Sequence, residues 1–125
     1  FLAGWFADPG ANPFVILDQG HRAGFALVAR PPAFPRTSVN YRMAEFFIVS
    51  AARRRGVGAF AASLLFNRFA GDWEVVEDEQ NRPALQFWRR VIARQTSGQF
   101  SETRSGGEVR HRFRTAANPS VRGAS

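Results

Sequence analysis

Apolar and polar positions change their period several times along the chain, and each change marks an element. Phe14-Val15-Ile16-Leu17 is a short apolar run closed by Asp18-Gln19-Gly20. His21 to Arg30 resumes it, with Phe25, Leu27 and Ala29 on one face, and this predicts a hairpin. Upstream, Asp8-Pro9-Gly10 and Asn12-Pro13 read as turns, and Phe1 to Phe6 as the end of a helix. Pro31, Pro32 and Pro35 are too dense for strand pairing, so the stretch to Asn40 is a loop. Tyr41 to Ser50 is the next strand. Its centre, Glu45 to Val49, is apolar enough for a central position.

The period then turns helical. Phe60, Ala61, Leu64, Leu65 and Phe69 recur at helix spacing until Gly71 stops the run. Asp72 to Glu77 returns to a strand pattern. Asn81 caps a second helix with Pro83 in its first turn, and Leu85, Trp88, Val91 and Ile92 form its apolar stripe. Gln99 to Thr103 and Glu108 to Thr115 flank Ser105-Gly106-Gly107, a second hairpin. The order is three strands, helix, strand, helix, hairpin. It predicts a mixed sheet with helices packed on it, in the α/β or α+β class. Residues 1–115 make one domain, and 116–125 are a small, polar tail expected to fray.

Composition narrows the chemistry. The 125 residues suffice for one core, and 45% hydrophobic with 22% charged is globular. The absence of cysteine excludes disulfides, thiolate-held metal and cysteine catalysis. Only His21 and His111 occur, so a histidine-rich metal site is not expected, and both read as surface or strand positions. No run approaches the roughly 18 apolar residues that span a bilayer, so no membrane partner is expected and the location should be cytoplasmic. The net charge is +7 and all 17 basic residues are arginine. Such a domain attracts anions. A chain without lysine also fits the codon bias of a GC-rich genome, so charge alone does not make nucleic acid the expected partner. Trp5, Trp73 and Trp88 read as core, not as a stacking platform for bases.

The informative unit is a strand, then Arg53-Arg54-Arg55-Gly56-Val57-Gly58, then a helix. A helix N-terminus exposes about four unpaired amides and roughly half a positive charge. Gly56 and Gly58 remove side chains that would hold an anion away from those amides, and three arginines add charge. The unit reads as a cradle for a pyrophosphate, or as a helix cap with a solvated basic run. With no lysine it is not a GxxxxGK-type loop, and two glycines do not make GxGxxG.

Those residues resemble the signature of the GCN5-related N-acetyltransferase (GNAT) superfamily: Arg or Gln, two residues, Gly, one residue, then Gly or Ala. There it follows the fourth strand and opens the third helix. Asn81, Ala84 and Phe87-Trp88 resemble a second block of the same family, on the helix after the fifth strand. The resemblance covers roughly residues 42–92. It implies an acyl-CoA N-acyltransferase fold: a mixed, mostly antiparallel sheet flanked by helices. It also implies acetyl-coenzyme A as cosubstrate. The backbone of Phe47, Ile48 and Val49 would bond the pantetheine like an added strand. The amides from Arg53, Arg54 and Arg55 through Gly56, Val57, Gly58 and Ala59 would hold the pyrophosphate. Asn81 and Phe87 would lie near the pantetheine or adenine end.

The implied reaction is direct attack of a neutral amine on the thioester. Glu45 is the candidate base, because burial among phenylalanines would raise its pKa. A carboxylate paired with Arg42 is the plainer reading. Many family members carry a tyrosine acid where this chain has Trp88, and Tyr41 is the candidate substitute. The alternative class is a module that binds acyl-CoA without turnover. The family also places a further strand and helices before the first hairpin. Their lack here implies that they precede the sequence, or that a partner chain, such as the second copy of a homodimer, covers the sheet edge. Asp72, Glu74, Glu77, Asp78 and Glu79 form either a lure for a cationic amine acceptor or a solvated acidic face.

Overall fold

The computed structural model describes residues 10–31 and 39–116. The predicted turn at Asp8-Pro9, the helix end at Phe1 to Phe6, Trp5, most of the proline loop and the tail beyond Ala116 lie outside the described residues.

Strands β1 (Ala11–Asp18) and β2 (His21–Ala29) form the first hairpin. Its two-residue turn places Gln19 at φ 53° and Gly20 at φ 83°, the paired left-handed geometry that matches strand twist. Asn12-Pro13 is not a turn: both residues lie inside β1. Among the described residues β1 is an edge strand, where a proline costs no interior ladder bond, and the Asn12 amide donates to the Val28 carbonyl. Strand β3 (Tyr41–Ile48) runs antiparallel to β2, and β4 (Gly71–Asp78) follows it in the sheet. The second hairpin, β5 (Phe100–Ser105) with β6 (Glu108–Thr115), inserts β6 beside β4. Gly106 and Gly107 are both left-handed at that turn. The six strands lie in the order β1-β2-β3-β4-β6-β5, all antiparallel except β3–β4.

Helices α1 (Val57–Arg68) and α2 (Arg82–Thr96) pack on the same face of the sheet. The Phe66 ring of α1 stands edge-on to Trp73 of β4 and Phe113 of β6, at 4.9 and 5.0 Å. Trp88 of α2 meets Phe46 of β3 at 5.1 Å. The α2 stripe is the expected one: Leu85, Trp88, Val91 and Ile92 are all buried. The α1 stripe is not. Gly58, Ala61, Ala62, Leu65 and Phe66 are buried, whereas Phe60 and Leu64 are 68% and 54% exposed. Small residues bring the helix close to the sheet, and Phe66 fills the gap between the two aromatic rings beneath it. Of the expected stripe, Ala61 and Leu65 are buried as predicted, while Phe60 and Leu64 turn outward and Phe66, which it left out, turns inward.

Among the described residues the opposite face of the sheet carries no helix. Over β1 to β3 it presents a cross-strand apolar row, Val15–Phe25–Phe47, with Leu17 beside it. Over β3, β4 and β6 it presents the row Arg42–Glu74–Arg112.

Candidate active-site cleft

Strands β3 and β4 pair through only two residue pairs, Tyr41 with Trp73 and Arg42 with Glu74. They part beyond that point. On its other side β3 carries a bulge: Leu27 opposes Glu45 and Val28 opposes Met43, so Ala44 is the surplus residue. A bulge bends its strand and adds twist, which carries β3 away from β4. The gap is a cleft of about 630 Å³. Residues 43–48 of β3 and 75–77 of β4 form its walls, Gly58, Asn81, Phe87 and Trp88 line it from the helix side, and Arg53 lines it from the junction after β3.

The strand-to-helix junction adjoins the cleft. Ser50–Arg55 is a 3₁₀ helix, not an open loop. The amides of such a helix bond back three residues, which narrows the expected cradle of Arg53 to Ala59 to its second half. Gly56 ends the 3₁₀ helix at φ 75° and starts α1, and Phe60 N–H closes the first α-helical bond onto its carbonyl. A Cβ on Gly56 would meet nothing within 4 Å, so the junction is open. Gly58 differs, being buried with a Cβ position 3.2 Å from Phe87 and 3.3 Å from Ile48. Its missing side chain lets two elements touch and does not clear room for an anion. Arg53 donates Nε–H to the Ile48 carbonyl at 2.9 Å and lies 5.8 Å over the Phe47 ring. Arg55 pairs with Asp18 at 3.2 Å. The Arg54 side chain lies outside the described residues.

The expected pantetheine-binding backbone is only partly free to serve. Val49 N–H is already committed to the Ala23 carbonyl at 2.7 Å, and Phe47 pairs with Phe25 on β2. Alternation along the strand turns the backbone of Ile48 and Phe46 toward the cleft instead. Phe87 and Asn81 do line the cleft. Phe87 stacks on Phe46 at 5.8 Å. Asn81 Oδ1 accepts the Ala84 amide, capping α2, and its Nδ2 donates to Glu77.

The two expected catalytic residues separate. Glu45 lines the cleft but is exposed on the open face of the sheet, so the burial expected to tune it is absent. The surplus residue Ala44 sets that orientation, and periodicity gave no sign of it. Tyr41 lies at the base of β3, against Phe69 and Trp73 at 5.3 Å each, and is not among the cleft-lining residues. Trp88 lines the cleft and is buried among Phe46, Phe66 and Phe87. Trp73 is likewise core.

The acidic cluster does not act as one: Asp78 and Glu79 are exposed, whereas Glu74 is buried. Glu74 is 1% exposed, and its carboxylate contacts Arg42 at 2.7 Å, Arg112 at 3.1 Å and Arg110 at 3.2 Å. Burial pushes its pKa up. The hydrogen bond and charge of Arg42, the hydrogen bond of Arg112 and the charge of Arg110 outweigh that and hold it below the usual value. Asp72 pairs with Arg114 at 3.1 Å. A buried carboxylate so enclosed was missed because Glu74 and its hydrogen-bonding arginines are 32 and 38 residues apart in sequence. His111 takes the strand position expected of it, in β6, and is fully buried there, with Nε2 2.7 Å from Glu102.

No family model matches the chain, and no curated protein does. Solved structures do match. An acetyltransferase from Thermus thermophilus superposes with a TM-score of 0.70 at 17% identity, over 90% of this chain and 70% of its own. A protein assigned to the GNAT family of acetyltransferases, from Desulfovibrio desulfuricans, superposes with a TM-score of 0.62 at 15% identity, over 84% of this chain and 69% of its own. With the mixed six-strand sheet and the parted parallel pair described above, these matches show that the chain has the fold of the GCN5-related N-acetyltransferases.

Proposed function

We propose that the protein is an N-acetyltransferase that binds acetyl-coenzyme A between β3 and β4 and passes the acetyl group to an amine. The observation that carries this is the parting of β3 from β4 after two residue pairs, directly beside the open Gly56 junction at the start of α1. A strand with free backbone groups and a helix N-terminus are the two features a pantetheine pyrophosphate requires. Gly56, Val57 and Ala59 would offer amides to the pyrophosphate. Ile48 and Phe46 would offer backbone groups to the pantetheine, with Arg53 giving up or sharing the Ile48 carbonyl.

When bound, the thioester supplies an activated acyl group. The acceptor nitrogen forms a bond to the carbonyl carbon and the carbon–sulfur bond breaks. The nitrogen's proton passes through water to Glu45, which stands exposed at the mouth of the cleft. The departing thiolate takes a proton from solvent, since among the described residues no tyrosine lines the cleft and the indole of Trp88 is not an acid. That last point favours a second reading, a module that holds acyl-coenzyme A without turnover.

Acetyl-coenzyme A should raise the Tm, and Gly56→Glu should abolish the rise by placing bulk and negative charge at the junction. No rise at millimolar ligand would sink both readings. Release of free thiol with a panel of amines separates transfer from binding alone.

A further inference from the structure

On the open face of the sheet, a cation with unused donors stands one strand behind the β4 wall of the cleft. Arg110 of β6 lies opposite Val76, which forms part of the β4 wall. Its Nε is buried, stands 3.2 Å from Glu74, and has no hydrogen-bond partner. The hydrogen bonds to Glu74 come from Arg42 and Arg112 instead. The Arg110 side chain is 39% exposed. Glu74 therefore anchors the charge of Arg110 without using its fork of donors. Across the cleft on the same face stands Glu45, opposite Leu27 in the β3–β2 ladder. The open face thus has an exposed carboxylate on the β3 wall of the cleft and, beyond the β4 wall, a guanidinium that does not itself line it.

We infer that the acceptor is an amine that also carries an oxyanion, a carboxylate or a phosphate, and that Arg110 binds that oxyanion on the open face of the sheet, beside the β4 wall of the cleft. This rests on the transfer reading above. A guanidinium pairs with either group through two parallel N–H···O bonds, which fixes orientation as well as charge. The amine end is then left toward Glu45 and the thioester. A polycation meets the opposite arrangement. Its first charge suits Glu45, but its second approaches Arg110, and like charges at close range disfavour that pose.

The test uses matched pairs: β-alanine against β-alaninamide, and O-phosphoethanolamine against ethanolamine, with spermidine as the polycation. Thiol release reports transfer. Heat of binding to the protein loaded with coenzyme A, which cannot transfer, reports recognition. One anionic member should exceed its neutral partner by at least about tenfold in kcat/KM and in affinity, and the pair that responds identifies carboxylate or phosphate. Arg110→Gln should erase that preference, and Arg110→Lys should restore only part of it. The Tm rise with acetyl-coenzyme A should persist in both. Arg114→Gln, on the same face but paired with Asp72, should keep the preference. Equal turnover of the paired amines, or a preference for spermidine, overturns the inference and leaves transfer standing. Anion binding that depends on Arg110 without any thiol release overturns transfer and leaves the oxyanion site standing. Binding that is absent, or unchanged in Arg110→Gln, overturns the inference.

Discussion

Gly58 on α1 touches Phe87 on α2 because it has no side chain: a Cβ there would stand 3.2 Å from Phe87 Cε1. The two helices meet at the floor of the cleft through this contact. Gly58→Val should cost about 1–3 kcal/mol by overpacking. It should also weaken acetyl-coenzyme A binding, since Phe87 must move into the cleft. Gly56→Ala meets open space and should cost only about 1 kcal/mol, through left-handed backbone strain. Urea denaturation of the two variants checks the order. A larger loss from Gly56→Ala would refute this account of the junction.

Gly24 is a harder constraint. A Cβ there would collide with the carbonyl oxygen of Phe47, on the neighbouring strand. Backbone cannot rotate aside as Phe87 can. Gly24→Ala should therefore destabilise by at least about 2 kcal/mol and loosen the β2–β3 ladder. Faster amide exchange at Val49, which donates to the Ala23 carbonyl, is the expected signature.

Glu102 joins β5 to α2 and β6. Both of its oxygens take Arg89, at 2.7 and 3.0 Å, and one also meets His111. The hydrogen bond from Arg89 is the main cause of a carboxyl pKa lowered to about 2, against the penalty of burial. A depressed carboxylate stabilises the fold above its unfolded value, near 4.5, and loses that contribution as pH falls toward about 2. Glu102→Gln should thus be less stable than the parent at neutral pH by roughly 1–2 kcal/mol after solvent screening. The gap should close between pH 4.5 and about 2. A gap that stays constant across that window would show that the ionised form is not what stabilises.

Where side chains answer to local spacing, the fold was legible in the sequence. The α2 stripe, its Asn81 cap and both hairpin turns follow from periodicity and turn chemistry within a few residues. The mixed sheet follows from the order of elements. The candidate site was legible in outline, since the glycine-bearing junction and the Asn81 to Trp88 block both adjoin the cleft. Features set by distant contacts were not. Phe60 and Leu64 look like core until Phe66 is seen filling the gap above Trp73. Pro13 reads as a turn until its strand proves to lie at the edge of the described sheet. Glu74 looks like one of five clustered acids, and only the pairing of β4 with β3 and β6 brings three arginines onto it. Glu45 looks buried from its neighbours, and the bulge alone turns it to the open face.

Ala44 carries a consequence for how such a cleft arises. It adds no side chain of note to the walls, yet it supplies slack on one strand where the partner has none. Removing that single residue would keep every other β3 side chain on its present face while straightening the strand. The parallel pairing begun at Tyr41 and Arg42 could then zip onward toward Ile48. The gap proposed for the thioester would be erased by a deletion that leaves the hydrophobic core intact.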